Sequence, residues 1–107
     1  MAQIKWQKRA SRVLEERLAY AYAEFGELTA KRWVREVAIA EARIKSMPTS
    51  YSLEPLLAGK KHTYRYCHLM NRRFKLIYCY YPSSKIARIV DIWDTRVRPK
   101  TLKRRIR

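Results

Sequence analysis

The chain has 107 residues, which is enough for one modest hydrophobic core and too few for two. Its hydrophobic content of 48% excludes a disordered basic tail, because such a chain buries enough apolar surface to fold. It has only two glycines, Gly26 and Gly59, which excludes the Gly-rich phosphate loops of nucleotide enzymes. The sequence shows neither a signal peptide nor an apolar run near the roughly 18 residues of a membrane helix. We therefore expect a single cytoplasmic domain over residues 1–107, with no membrane segment.

The net charge of +16 is distributed unevenly along the chain. The last 48 residues carry fifteen Lys and Arg but only two acids, Asp91 and Asp94. A segment with such an excess attracts polyanions, and phosphate neutralisation dominates the affinity of proteins for nucleic acid. The charge therefore favours a nucleic-acid partner, RNA more than DNA. Simple solubility and an acidic protein partner remain open as alternatives.

The first half of the chain predicts one short strand followed by two helices. Residues 3–6 alternate polar and apolar and are typical of an edge strand. Apolar residues then recur at helical spacing from Val13 to Phe25, and Gly26 ends this helix. A second apolar stripe predicts a helix over residues 28–47, which Pro48 stops. The short connection around Gly26 makes the two an antiparallel helical hairpin.

Three strands are predicted in the second half. Residues 62–69 and 72–81 are rich in aromatic and β-branched side chains and form a β-hairpin across Met70 and Asn71, and residues 85–93 form the last strand. The expected fold class is α+β, in the order β-α-α-β-β-β, with the helical hairpin packed on one face of a small antiparallel sheet. The pattern leaves open which side of each strand faces the helices. Residues 97–107 are interpreted as a basic, mobile tail with a helical turn after Pro99.

Metal and cofactor chemistry are not indicated. The two cysteines, Cys67 and Cys79, lie on the two arms of the predicted β-hairpin, where Cys67 is expected opposite Phe74 and far from Cys79. Two buried free thiols are therefore expected. Scattered histidines and two cysteines do not make a zinc site, so neither a metal nor a cofactor is predicted.

Basic and aromatic side chains interleave along the predicted sheet. Arginine binds phosphate oxygens with a planar fork, and tyrosine offers a surface on which unpaired bases stack. Seven side chains are expected to converge on one concave sheet face: Arg65, His68, Arg72, Arg73, Lys75, Arg96 and Arg98. Packing of the tyrosines against the helices, with their hydroxyls at the rim, is the structural alternative.

Five ionisable residues are candidates for the chemistry of RNA cleavage by internal attack of the 2′-hydroxyl. That reaction needs a base, cations on the scissile phosphate and a proton for the leaving oxygen. His68 has an ordinary pKa suited to acid–base work, and Asp94 or Asp91 is placed to orient it or to act as base. Lys75 is a candidate proton donor and Arg96 a candidate for charge stabilisation. The structural alternatives are a surface position for His68, an ion pair for Asp94, a core position for Trp93 and a turn at Thr95.

The order of elements and a few short strings resemble the RelE/ParE superfamily of bacterial type II toxins. The resemblance rests on the helical hairpin ending in Pro48, on the strand strings Arg73-Phe74-Lys75-Leu76-Ile77-Tyr78 and Ile89-Val90-Asp91-Ile92-Trp93, and on the closing Asp94-Thr95-Arg96. It covers almost the whole chain. It implies a small basic toxin, without metal or cofactor, that an acidic and partly disordered antitoxin wraps and blocks.

The resemblance implies two possible targets. RelE-like members cut mRNA on the ribosome, whereas ParE-like members poison DNA gyrase. The family pattern puts Lys75 where the nucleases keep a phosphate-binding Arg, Arg96 at the Arg after the last strand, and Leu102 where RelE-like nucleases have a tyrosine. The mRNA endonuclease is the favoured expectation, although these departures also suit a gyrase inhibitor. A non-toxic RNA-binding module is the third hypothesis.

Overall fold

The computed structural model describes residues 1–106 and confirms the predicted α+β order, with an additional C-terminal helix. The strands are β1 (Gln3–Trp6), β2 (Tyr64–Leu69), β3 (Phe74–Tyr81) and β4 (Ile86–Asp94). The helices are α1 (Lys8–Phe25), α2 (Glu27–Ser46) and α3 (Pro99–Arg105), and a 3-10 helix spans Pro55–Leu57. None of the helices in residues 1–106 has the length and hydropathy that crossing a membrane requires.

The four strands form one sheet in the order β1-β4-β3-β2. The predicted antiparallel pairing holds for β2, β3 and β4, whereas β1 adds to the edge in parallel with β4. Parallel strands cannot be joined by a tight turn and need a long connection between them. The helical hairpin and the strands β2 and β3 provide that connection between β1 and β4. The β2–β3 turn occupies residues 70–73 rather than Met70 and Asn71 alone, so that Cys67 lies opposite Leu76 and not Phe74.

One face of the sheet carries the helical hairpin, as predicted. We call it the α1/α2 face; its strand residues include Leu76, Tyr78, Ile89 and Ile92, all buried. Tyr78 is fully buried, and its hydroxyl donates a hydrogen bond to the Pro48 carbonyl oxygen at 2.7 Å. Burial raises the pKa of Tyr78 to about 12. Gly26 joins the two helices at φ 90° and ψ −179°, a backbone conformation that is essentially restricted to glycine.

The second face of the sheet is also covered, which the sequence interpretation missed. We call it the α3 face; the strand residues Ile77, Cys79, Val90 and Trp93 pack there against Leu57, Leu102 and Ile106. The prediction of a mobile tail was therefore wrong for residues 99–106, because Leu102 and Ile106 anchor this segment in a second core. Arg107 lies outside the described residues.

A β-bulge in β4 explains why its residues do not alternate between the faces. Ile77 lies opposite Asp91 while the next residue, Tyr78, lies opposite Ile89, so Val90 is an extra residue in β4. Val90 packs in the α3 core, and Asp91 reaches Arg105 of α3 with its Oδ1 atom 2.7 Å from the guanidinium. The bulge thus directs two successive side chains toward α3 and lets a fully buried carboxylate hold the C-terminal helix.

Candidate functional site

Three predicted site residues and one tyrosine lie at the β2–β3 turn end of the α3 face. His68 and Lys75 are directly opposite each other on β2 and β3. The Lys75 ammonium lies 4.3 Å from the centroid of the Tyr66 ring, and the His68 ring packs edge-on against the same tyrosine at 5.2 Å. Arg72 in the adjoining turn is exposed and contributes positive potential at His68. We call His68, Arg72, Lys75 and Tyr66 the turn-end cluster.

Glu54, to which the sequence analysis assigned no role, forms a buried ion pair with Lys75. Its carboxylate is buried and accepts hydrogen bonds from Lys75 Nζ at 2.9 and 3.2 Å. It also accepts the Leu56 backbone N–H and so caps the 3-10 helix. The Lys75 side chain is 13% exposed, and its charge is neutralised inside the protein. A signal for this role was present, because an acid immediately before Pro55 is typical of a helix start.

The surroundings of His68 favour its neutral form, which accepts a proton rather than donating one. Partial burial lowers its pKa, and the positive charges of Lys75 and Arg72 lower it further. The imidazole is therefore neutral at neutral pH, the form in which a general base operates. Within residues 1–106, no carboxylate forms a hydrogen bond or ion pair with His68, whereas the sequence had predicted that Asp94 or Asp91 orients this ring or acts as base.

Asp94 and Arg96 belong to the opposite face of the sheet. Asp94 ends β4 on the α1/α2 side, where its carboxylate binds the Arg96 guanidinium at 3.0 and 3.1 Å and approaches Arg17 of α1 at 4.0 Å. It also accepts the Arg96 backbone N–H at 2.9 Å. The Arg96 side chain is 60% exposed, so its outer edge is accessible to a ligand. The structure shows the structural alternatives that the sequence left open for residues 93–95: Trp93 is buried, Asp94 is ion-paired and Thr95 lies in a turn.

A groove beside this ion pair combines an apolar floor with a basic rim. Its volume is about 290 Å³, and it opens between the helical hairpin and the β2–β3 turn. The floor includes Trp33 and Phe74, whose rings lie 4.8 Å apart. The cationic rim consists of Arg17, Arg32, Arg73 and Arg96. We call this the arginine groove; its chemistry suits an acidic segment with apolar side chains.

The structure does not bring the predicted residues together on one face. His68, Lys75 and Arg72 form the turn-end cluster, whereas Arg73, Asp94 and Arg96 lie at the arginine groove. Arg65 points to the α1/α2 side at the sheet edge, where it donates to the Tyr51 carbonyl at 2.8 Å. Arg98 is exposed at the start of α3. Twist and alternation separate neighbouring positions in this way, because successive strand residues point to opposite faces.

Replacing Asp94 by Asn is expected to lower the free energy of unfolding by about 1 kcal/mol at neutral pH, because an ion pair with an exposed arginine is worth little more. Hydrogen bonds from the Arg96 side chain lower the pKa of Asp94 below its ordinary value. Its stabilisation is therefore complete above the unfolded-state pKa near 3.8 and is lost as the pH falls through the folded-state value. Urea denaturation of both proteins across this range measures the difference, and a constant difference at all pH values would contradict the assignment.

The metal-ligand inventory is short. Within residues 1–106, no group of three or more His, Cys, Asp or Glu side chains is arranged to hold a metal ion. Cys67 and Cys79 are free thiols, buried on the α1/α2 face and the α3 face respectively. Burial raises the pKa of the Cys67 thiol to about 11 and also raises that of Cys79, so neither is a reactive thiolate at neutral pH.

Comparisons with known proteins place this arrangement in a known fold. No protein-family model matches the sequence, and no curated protein is significantly similar to it. Among solved structures, the chain is similar to the chromosomal ParDE toxin–antitoxin system from P. aeruginosa, with a TM-score of 0.68 and 16% identity over 88% of this chain and 96% of that one. It is also similar to the isolated E. coli RelE toxin, with a TM-score of 0.62 and 10% identity over 97% of this chain and 98% of that one.

These similarities show that the chain has the RelE/ParE toxin fold, and they confirm the resemblance stated from the sequence at the level of the fold. They extend over nearly the whole of each neighbouring chain. At 16% and 10% identity, side-chain chemistry is not transferred, because one fold hosts different functions. The function is therefore argued from the residues of this chain.

Proposed function

We propose that this chain is the toxin of a type II toxin–antitoxin pair and that it acts by contacting its target, as ParE-like gyrase inhibitors do, rather than by cutting RNA. The toxin role is supported by the fold shared with a ParDE system and with RelE, together with the net charge of +16. An acidic antitoxin is the natural partner for such a charge. A cytoplasmic location follows from either target.

The choice of the contact mechanism over RNA cleavage rests on the ion pair between Lys75 and buried Glu54. A nuclease needs a cation whose charge is directed at the scissile phosphate. Here the cation at that strand position is held by two short contacts to a carboxylate, and withdrawing it would leave that carboxylate buried and unpaired. The other proposed catalytic residues, Asp94 and Arg96, lie on the opposite face from His68. Leu102, which the sequence resemblance puts where RelE-like nucleases have a tyrosine, is part of the α3 core.

Ribosome-dependent mRNA cleavage remains the second candidate, and one observation favours it. His68 is exposed, neutral at neutral pH and flanked by Arg72. A single base with a neighbouring cation supplies two of the three requirements of internal cleavage. The ribosome would have to supply the remainder, or Arg96 would have to swing across the sheet edge.

The proposal is tested by inducing the chain alone in a bacterial host. We expect growth arrest with a DNA-damage response and unbroken mRNA. We also expect a short acidic reading frame next to the gene, and co-expression of that frame should relieve the arrest. Arrested translation with fragmented mRNA would favour the second candidate. Harmless high-level expression would contradict the toxin role and favour a non-toxic RNA-binding module.

Matched variants connect the phenotype to the two sites. Arg96→Ala removes a cation from the arginine groove, whereas Arg35→Ala removes an exposed cation from α2 outside it. The contact mechanism predicts weaker growth arrest for Arg96→Ala only. His68→Ala leaves the arrest intact under this mechanism and abolishes it under the nuclease mechanism.

A further inference from the structure

A cavity separate from the arginine groove lies at the end of the α3 face that is far from the turn-end cluster. We call it the basic cavity. Its volume is about 570 Å³, within the range of small-ligand sites. It opens between the start of α1, the loop before β2 and the end of α3. Tyr64, which lies at this end of β2, is four residues from His68, a separation of roughly 13 Å along a strand. The cavity is therefore distinct from both sites described above.

Cationic side chains dominate the wall of this cavity, and among residues 1–106 no acidic side chain lines it. The cations are Lys8, Arg9, Lys61, Arg88 and Arg105. The Arg105 guanidinium is bound to the buried Asp91 carboxylate at 2.7 Å. Within residues 1–106, Lys8, Lys61 and Arg88 form no ion pair. Three cations therefore face the cavity without an ion-pair partner among the described residues.

The arrangement of these cations is fixed by the fold. Arg9 donates a hydrogen bond to the Arg105 carbonyl oxygen at 3.1 Å and thereby ties the first turn of α1 to the end of α3. Lys8 begins α1, whose first turn contains no acid and whose N-terminus has no side-chain cap. The free backbone N–H groups of a first helical turn add positive potential to that of the cations. Mutual repulsion in this cavity would be relieved by a bound anion.

An aromatic wall adjoins the cations. The His62 ring packs edge-on against Tyr81 at 5.3 Å and against Tyr64 at 6.4 Å. The Arg88 guanidinium lies 5.5 Å from the centroid of the Tyr81 ring. Aromatic and guanidinium planes are the surfaces on which nucleobases stack. Cations and rings thus occur side by side, as the two halves of a nucleotide require.

We propose that this cavity binds a nucleotide phosphate chain, with Lys8, Lys61 and Arg88 on two or more adjacent phosphates and the base against His62 and Tyr81. A chain of phosphates matches three uncompensated cations, whereas a single carboxylate does not. The same chemistry is supplied by a free nucleoside triphosphate and by the 5′-triphosphate end of an RNA strand. The inference is independent of the toxin's target.

The test measures binding of three probes to the purified full chain by calorimetry at fixed ionic strength: sodium tripolyphosphate, ATP and a short single-stranded RNA with a 5′-triphosphate. We expect saturable binding of tripolyphosphate and tighter binding of ATP. Arg88→Glu and Lys61→Glu are expected to weaken both by about tenfold or more, since one charge-assisted contact is worth roughly 1.5–3 kcal/mol. Arg35→Glu, on exposed α2, makes the same charge change outside the cavity and is expected to have little effect.

Each outcome decides the proposal. Binding of RNA that tripolyphosphate displaces, with the same loss in Arg88→Glu, assigns the site to strand ends; binding of ATP alone assigns it to free nucleotides. Lys61 lies in a loop outside the sheet, so Lys61→Glu gives a second reading if Arg88→Glu fails to fold. Absence of binding at millimolar tripolyphosphate, or equal losses in Arg35→Glu, would overturn the proposal. Toxicity in cells is a separate measurement and does not bear on it.

Discussion

Glu54→Ala is expected to lower the free energy of unfolding by roughly 3–5 kcal/mol, the usual cost of removing one partner of a buried ion pair. The substitution leaves the Lys75 ammonium in a site that is 13% exposed without its carboxylate, and it also removes the cap of the 3-10 helix. Equilibrium urea denaturation measures the loss. Glu24→Ala, at an exposed position on α1, is the matched control and should change stability little.

A double substitution separates the ion pair from the packing around it. Lys75→Met removes the charge but keeps much of the side-chain volume, and in the background of Glu54→Gln it leaves no buried charge unpaired. We expect the double variant to be more stable than Glu54→Ala, since well-packed neutral replacements are tolerated where single removals are not. Strictly additive losses would contradict the assignment of Lys75 as the structural partner of Glu54.

Leu102→Ala is expected to lower the free energy of unfolding by about 2–5 kcal/mol, because it leaves a cavity in a packed core. Leu102 is fully buried among residues of the α3 face, including Trp93 and Ile77. Denaturation measures the total effect, and hydrogen exchange of residues 99–106 shows whether α3 detaches first. Val97→Ala, at a side chain 41% exposed just before α3, is the control. A loss no larger than that of Val97→Ala would return this segment to the mobile tail first predicted.

The parts of the fold that the sequence predicted are those with local signals. The helical stripes, Gly26 between the helices and Pro48 after them determine the hairpin, and the aromatic strand strings determine β2, β3 and β4. The parallel pairing of β1 and the bulge at Val90 depend on contacts between distant segments, which no local pattern encodes. The docking of α3 had a weak signal: Leu102 and Ile106 are four residues apart in the basic run, the spacing of one helix face.

The candidate site was harder to predict than the fold for a related reason. His68 and Lys75 lie opposite each other, as the expected convergence on one face required. Asp94 and Arg96 were wrongly expected on that face as well, because their correct placement depends on the bulge in β4 and on which strand faces meet the helices. Glu54 lies 21 residues from Lys75, and its role depends on a tertiary contact. The charge distribution along the sequence indicated a basic surface. It did not show that the cations are divided among the turn-end cluster, the arginine groove and the basic cavity.

The most direct test of the contact mechanism is a side-by-side assay of the purified chain on two targets. In one reaction it is incubated with DNA gyrase and supercoiled DNA, and in the other with mRNA bound to translating ribosomes. We predict that gyrase accumulates cleaved, unsealed DNA and that the ribosome-bound mRNA stays intact, with the first effect reduced in Arg96→Ala. Cleaved mRNA with unaffected gyrase, lost in His68→Ala, would contradict the account and establish the chain as a nuclease.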